Sequence, residues 1–195
     1  MLKTIHQGLI CGLAALLLGV FSIAGAHDAA ARSWLNIDEN EGKIRGWRIG
    51  YSKGFAGCLA YSGFTDKTTV WFGYSKKQKY FIAMTNPKWS ALKSGRTYRL
   101  HMRMRGHGKW NGSFLAFERS GVKGVFLGKL KREFMRQFAW APGFHIFASG
   151  TKMAGLSLNG SKAALASVER CFEDRRFQAA RDAETADRRR RARPT

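Results

Sequence analysis

The feature of this sequence that most constrains its fold is a series of short β-favouring runs separated by turn residues. Glycine, asparagine, aspartate and proline lie between nearly all of these runs. Such spacing is typical of sandwiches and barrels, in which tight turns rather than helices join successive strands. The sequence therefore predicts a mainly β domain, either an antiparallel β-sandwich or a barrel-like sheet. Its expected strands lie at residues 47–52, 58–61, 68–74, 80–85, 97–105, 113–119, 144–149 and 152–158.

The clearest strand is the run at residues 97–105, because its side chains alternate strictly between apolar and basic. The apolar positions are Tyr98, Leu100, Met102 and Met104, and the positions between them are Arg99, His101, Arg103 and Arg105. Successive side chains of a strand point to opposite faces of the sheet. We therefore expect one face of this strand to contact the core and the other to be charged.

Two segments have helical periodicity and interrupt the strands. The first covers about residues 131–139, where Phe134 and Phe138 mark an apolar side. The second covers about residues 162–176, where apolar residues recur every three or four positions, as in a helix that packs on a sheet. These residues are Ala164, Leu165, Val168, Cys171 and Phe172. Because Ser161 precedes them, we expect its hydroxyl to cap the N-terminus of this helix.

Residues 1–26 have the three parts of a cleavable signal peptide. Lys3 supplies a positive charge, residues 9–21 are apolar, and residues 24–26 are small. Cleavage near Ala26 would leave a protein that functions outside the cytoplasm. An uncleaved membrane anchor is the alternative, because the apolar segment approaches the roughly 20 residues that span a bilayer.

The chain after the signal divides into three parts. Residues 27–45 are a polar lead-in in which we expect little regular structure, and residues 46–176 form a single β-rich domain. Residues 177–195 are expected to form a basic, disordered tail, because alanine and charged residues replace the apolar ones.

Cys58 and Cys171 are the only cysteines after residue 26. An even number of cysteines in an oxidising compartment is typical of structural disulfides, so we predict that the two residues pair. The alternatives are two buried free thiols or one catalytic cysteine, although neither residue lies in a redox or protease motif.

The chain carries a large excess of positive charge. It has 34 Lys and Arg residues against 13 Asp and Glu residues, which gives a formal net charge of +21. Removing residues 1–26 takes away only Lys3, so the remaining chain has a net charge of +20. Such charge favours anionic partners. Lipid headgroups, lipopolysaccharide and anionic envelope polymers are the candidates, whereas nucleic acid is not an expected partner outside the cytoplasm.

Within the predicted domain, one strand and its following turn concentrate cations beside an aromatic ring. This combination is typical of surfaces that bind anions. The candidate anion-binding residues are Arg99, Arg103, Arg105, Lys109 and Trp110. The alternative is a solvated strand face whose charges protect a sheet edge from pairing.

The sequence offers little material for catalysis or metal binding. No G-x-S-x-G motif is present, and residues 46–171 contain only four scattered carboxylates, namely Asp66, Glu118, Glu133 and Glu169. His101 and His107 lie among cations, which repel a metal ion, so we expect no metal site and no cofactor. A hydrolytic triad from His145, Ser149 and Asp66 remains open, because triads are defined by geometry rather than by sequence order.

Several motifs carry a resemblance to a known family. They are Trp47-Arg48-Ile49, Cys58-Leu59-Ala60, Thr69-Val70-Trp71-Phe72, and the segment at residues 156–165 that leads to Cys171. Over about residues 47–172 the chain resembles the invasion-associated locus B-like proteins and related uncharacterised exported proteins of alphaproteobacteria. The resemblance implies a periplasmic or secreted bacterial β domain with one disulfide, and it supplies no catalytic residues.

These observations lead us to expect a non-enzymatic exported protein that binds an anionic envelope component through a basic surface. The alternative is a structural or protein-binding envelope protein whose charge is incidental. A hydrolase of unrecognised type is the third possibility.

Overall fold

The computed structural model describes residues 35–191, and the predicted signal peptide and residues 192–195 lie outside this range. The described chain forms one antiparallel sheet of ten strands, with the spatial order β1-β2-β3-β4-β5-β8-β7-β6-β9-β10 and without closure between its two ends. The strands are β1 (Glu39–Ile44), β2 (Trp47–Ser52), β3 (Gly57–Gly63), β4 (Thr69–Ser75), β5 (Lys79–Thr85), β6 (Thr97–Met104), β7 (Gly108–Arg119), β8 (Val122–Leu130), β9 (Gly143–Ala148) and β10 (Thr151–Ser157).

Two helices accompany the sheet, α1 (Arg132–Trp140) between β8 and β9, and α2 (Ser161–Arg191) after β10. The predicted mainly β antiparallel fold with a short helix and a C-terminal helix is therefore confirmed. No helix within residues 35–191 is long and apolar enough to cross a membrane.

The main core lies on the face of the sheet that the two helices cover. Leu100, Met102 and Met104 of β6 point into it and are at most 3% exposed, as their alternation predicted. From α1 come Phe134, Met135 and Phe138, and α2 contributes the stripe that ends at Cys171. The two helices therefore bury most of the apolar surface on this face of the open sheet.

A smaller apolar cluster covers part of the opposite face, on the half of the sheet around β3, β4 and β5. It contains Leu35, Phe55, Leu59, Trp71, Phe81, Ala83 and Phe117. Strand β4 therefore contributes Phe72 to one cluster and Trp71 to the other. Burial on both sides explains the lack of a polar face in its sequence, since a strand inside a sheet can be covered twice.

The lead-in expectation is wrong for residues 39–44, which form β1. The strand is polar, so its sequence gives no apolar alternation. It is positioned by a two-residue turn at Arg45-Gly46, where both residues have positive φ (46° and 91°), the backbone that twists correctly into a hairpin. Arg175 of α2 then forms ion pairs with Glu39 and Glu41 across the strand, at 2.5 and 3.0 Å.

Strand β8 was also not predicted as a strand. Gly124 lies inside it, where a Cβ would collide with the carbonyl oxygen of Met84 and the side chain of Thr85. The glycine therefore permits close approach of β5 and β8 rather than marking a loop. The turn between β7 and β8 lies just before, at Ser120-Gly121, where both residues have positive φ.

Helix α2 is longer than expected, and residues 177–191 are helical rather than disordered. Their alanines are strong helix formers. Ion pairs one turn apart add support, between Glu184 and Arg188 at 2.6 Å and between Asp187 and Arg191 at 2.7 Å. The charge pattern that suggested disorder is thus the pattern of a solvated helix.

The start of α2 is fixed against the first hairpin. The indole N–H of Trp47 donates to the carbonyl of Asn159 at 3.0 Å. Gly160 has a φ of +82°, and a Cβ at this position would lie 2.6 Å from the Cβ of Arg45. Ser161 does not cap the helix as predicted, because its hydroxyl instead donates to the carbonyls of Leu158 and Ala139, at 2.6 and 2.8 Å.

The predicted disulfide is confirmed. Cys58 on β3 and Cys171 on α2 are bonded, with their Cα atoms 6.0 Å apart and their positions 113 residues apart in the sequence. Both are buried. The bond therefore attaches α2 covalently to the first half of the sheet.

The double variant Cys58→Ser/Cys171→Ser should lower the free energy of unfolding, because the bond restricts the unfolded chain. For a loop of this length the chain-entropy model gives about 5 kcal/mol, and measured losses are often nearer 2 kcal/mol. Urea unfolding followed by circular dichroism measures the change. Reduced wild-type protein is the control and should unfold like the variant; identical midpoints for the oxidised and reduced protein would contradict the prediction.

The substitution Gly160→Ala should destabilise the fold by more than Gly150→Ala. Both glycines have φ near +80°, but only Gly160 has neighbours where a Cβ would be. We expect about 1 kcal/mol for Gly150→Ala from backbone strain alone, and roughly 1–3 kcal/mol more for Gly160→Ala from overpacking against Arg45. Thermal unfolding of the two variants tests this, and equal losses would show that α2 can move away from the hairpin without cost.

Candidate anion-binding face

The sheet register brings the predicted cations of β6 and β7 onto one exposed face. Residues that pair directly across neighbouring strands share a face. Arg103 pairs with Lys109 on β7 and with His145 on β9. Arg99 lies four positions earlier on β6. Arg105 lies two positions later, just after the strand, where its backbone N–H donates to the carbonyl of Gly143 at 2.9 Å. We call the outer surface formed by Arg99, His101, Arg103, Arg105, Lys109, His145, Phe147 and Lys152 the basic face.

Trp110 does not belong to the basic face, which corrects the prediction. It pairs with Met102, whose side chain points into the core. Its ring packs edge-on against Phe134 with centroids 5.0 Å apart, and its indole N–H donates to Gln137 Oε1 at 3.0 Å. The reason is the period of two along a strand, which turns Trp110 away from its neighbour Lys109.

The aromatic residue of the basic face is Phe147 on β9. Its ring stacks on His101 with centroids 4.8 Å apart and planes 6° from parallel. The guanidinium carbon of Arg103 lies 5.8 Å from the same ring, within cation–π range. His145 contacts the ring edge-on at 6.2 Å. Phe147 was missed because it is remote in sequence from β6, and only the pairing of β6 with β9 brings it there.

The basic face lacks compensating negative charge. Strands β6, β9 and β10 contain no Asp or Glu, and the only one on β7, Glu118, forms an ion pair with Lys123. Within residues 35–191 no carboxylate forms an ion pair with Arg99, Arg103, Arg105, Lys109 or Lys152. All five are exposed. Their charge is thus available to a ligand from outside.

The charges of the basic face alter one titrating group within it. Partial burial, and then repulsion from Lys152, Arg105 and Arg103, lower the pKa of His145 from its ordinary value of 6.5. Burial and the cationic neighbours thus both favour the neutral imidazole over the imidazolium. A bound anion would relieve that repulsion and raise the pKa, so His145 can report on occupancy of the face.

The carboxylates that could serve catalysis are engaged in local pairs. Glu118 pairs with Lys123, Glu133 accepts from Gln137 at 3.4 Å, and Asp66 accepts from the backbone and hydroxyl of Thr68 at 2.9 Å. Glu169 accepts from Tyr80 at 2.5 Å and pairs with Arg132 at 3.3 Å. Burial and the bond to Glu169 raise the pKa of Tyr80, so its phenol is a weaker acid than a free tyrosine.

The residues of the suggested triad are not brought together. His145 lies among cations on β9, and Asp66 is held by Thr68 in the turn between β3 and β4, which are separated from β9 in the sheet order. Within residues 35–191 no group of three or more His, Cys, Asp or Glu side chains has the geometry to hold a metal ion.

A polar cavity of about 660 Å³ lies elsewhere, on the outer face of β2 to β4, and sequence reasoning did not identify it. Its walls include Arg48, Tyr61 and Arg119. The guanidinium of Arg119 lies over Trp71, 5.4 Å from the ring centroid, and donates to Asn36 Oδ1 at 2.5 Å. Since Trp71 is only 4% exposed, this ring offers no free stacking surface to a ligand.

No family model, curated protein or solved structure matches this chain. The family resemblance of its motifs therefore stays a prediction, and the candidate site is defined by its own geometry.

The variant Lys152→Gln should raise the pKa of His145, because it removes one of the cations that repel the imidazolium. Titration of the imidazole Cε1–H signals by NMR measures the shift, with Lys67→Gln in the turn between β3 and β4 as the control.

In the wild type the lowered pKa of His145 should make the free energy of unfolding decrease as pH falls below about 6.5, because the unfolded chain then binds a proton that the folded chain does not. A His145 pKa at or above the ordinary value would contradict the prediction.

Proposed function

We propose that this chain is an exported, non-enzymatic protein that binds an anionic component of the bacterial envelope through the basic face. The observation that carries the proposal is a group of five exposed cations on β6, the turn after it, β7 and β10, none of which has an ion-pair partner within residues 35–191. The three strands have one carboxylate among them, which is paired with Lys123. Surfaces that serve only solubility usually intersperse charges of both signs, because neighbouring like charges repel each other. The basic face carries one sign only.

The dimensions of the basic face suit a polyvalent anion. From Arg99 to Arg105 the strand covers about 20 Å, since an antiparallel strand rises about 3.4 Å per residue. From Lys109 across Arg103 to His145 the face is about 10 Å wide, because neighbouring strands lie about 4.8 Å apart. A phosphorylated or carboxylated polymer, lipopolysaccharide or a cluster of lipid headgroups can place several charges in such an area.

The proposed location outside the cytoplasm is supported by two independent features. Residues 1–26 have the pattern of a cleavable signal. The disulfide between Cys58 and Cys171 is compatible with an oxidising compartment, where such bonds form and persist. The motif resemblance to exported alphaproteobacterial proteins agrees with both.

The triple variant Arg99→Ser/Arg103→Ser/Arg105→Ser tests the proposal. Heparin serves as a soluble polyanion and lipopolysaccharide as an envelope component, with binding measured as a function of salt. The binding constant K falls as salt rises, and by analogy with phosphate contacts each cation contributes about −0.9 to the slope of log K against log salt. The loss of three cations should therefore make this negative slope shallower by about 2 to 3. The NMR signals of His145 provide a second readout, because bound polyanion should raise its pKa in the wild type.

The matched control is Lys76→Ser/Lys77→Ser/Lys79→Ser, which removes the same net charge from the turn between β4 and β5. It should bind almost like the wild type. Equal loss in both triple variants would mean that only net charge matters, and unchanged binding in the first would remove the basic face as the site. Binding to an envelope protein that does not weaken with salt would instead support the alternative partner-binding function.

A further inference from the structure

Trp140 is an unusually exposed tryptophan at the end of α1. Its exposed fraction is 47%, whereas Trp47, Trp71 and Trp89 are at most 5% exposed. Exposed aromatic rings of this size are costly in water, because much of their apolar surface remains hydrated. The ring is held at the last residue of α1, where the chain leaves the helix in an extended conformation at Ala141.

The indole N–H of Trp140 also differs from those of three other tryptophans in the described chain. Trp47, Trp89 and Trp110 each donate their indole N–H to a protein oxygen. Within the described chain Trp140 has no such acceptor. Both its apolar ring and its polar N–H are therefore directed to the surroundings of the protein, as in tryptophans that lie at a membrane–water interface.

The neighbours of Trp140 are mainly cationic. Lys162 Nζ lies 4.7 Å from the ring centroid, and the guanidinium carbon of Arg136 lies 5.9 Å from it. The ring, Arg136 and His107 line one cavity of about 290 Å³. The carboxylate in its lining, Glu133, accepts a hydrogen bond from Gln137.

This cavity adjoins the basic face. His107 lies at the tip of the turn that joins Arg105 to Lys109, the two cations at the end of that face. The Arg105 side chain itself reaches Gly143, close in sequence to Trp140, because Arg105 Nη2 lies 3.7 Å from where a Cβ on Gly143 would be. The exposed ring and the unpaired cations thus occupy one end of the domain.

We infer that this end of the domain docks on an anionic lipid surface, with Trp140 inserted at the headgroup level and Arg105, Arg136 and Lys162 contacting headgroup charges. The inference rests on the proposed function and names the bilayer as the partner. A soluble polyanion can use the cations of the basic face, but it gives an exposed indole no apolar phase. A bilayer interface accepts both the ring and the N–H, and its negative surface attracts the surrounding cations.

Vesicle binding by Trp140→Ala tests the inference. The probes are vesicles of phosphatidylglycerol and phosphatidylcholine, vesicles of phosphatidylcholine alone, and heparin. We expect the wild type to prefer the anionic vesicles, and Trp140→Ala to lower the partition coefficient about tenfold through loss of one buried aromatic contact. Binding of heparin should not change, because Trp140 contributes no charge.

The control variant is Phe177→Ala. Phe177 is an aromatic residue of α2 that is 59% exposed and has its own cation, since the Arg176 guanidinium carbon lies 5.5 Å from its ring. It lies 15 residues along the helix from Lys162, a distance of about 23 Å at 1.5 Å per residue. Its loss should leave vesicle binding unchanged. Equal effects of both substitutions would overturn the inference, because general surface hydrophobicity would then explain binding.

Two further measurements keep the test independent of folding. Brominated lipids should quench the fluorescence of the wild type but not of Trp140→Phe, which retains a ring and should bind with intermediate affinity. Absence of that quenching overturns the inference. Binding to heparin without binding to vesicles also overturns it and leaves the proposed function intact, whereas failure to bind either probe removes both.

Discussion

The packing of α2 across the inner ends of β2, β3 and β4 is the constraint on which the rest of the structure depends. An open ten-stranded sheet has an apolar inner face that must be covered, and α1 is too short to cover it alone. Helix α2 is attached to the sheet at three points along its length. Its start contacts Trp47 and Arg45, Cys171 forms the disulfide, and Arg175 forms an ion pair with Glu39 of β1. Hydrophobic burial drives this contact, and the specific links set its position.

Strands and helices were predicted correctly where a pattern of neighbouring residues is enough to identify them. Alternation along residues 97–105 predicted β6, because one of its faces contacts the core and the other contacts solvent. It did not predict β1, which is polar on both sides and is stabilised by Arg175, a residue more than 130 positions away. Nor did it predict β8, where Gly124 permits strand approach but resembles a turn signal. The helical state of residues 177–191 was missed because composition alone does not separate a charged helix from a disordered segment.

Only the part of the basic face that lies on one continuous run of residues was predicted correctly. The cations of β6 follow from a single alternating run. To place Trp110 correctly, one must know which side chains of β7 share a face with those of β6. That is decided by the pairing of Trp110 with Met102, whose side chain points into the core. Phe147, His145 and Lys152 reach the face only through the pairing of β6 with β9 and of β9 with β10. Long-range register of this kind is set by the whole sheet and leaves no local trace in the sequence.

The acidic residues lie mostly away from the basic face, and this affects how the protein approaches a charged surface. Six of the carboxylates lie on α2 and three more lie at residues 38–41, whereas β6, β9 and β10 have none. No acidic side chain on β6, β9 or β10 therefore repels a negatively charged wall. The cations of these strands add to one positive potential, which attracts such a wall before any contact forms.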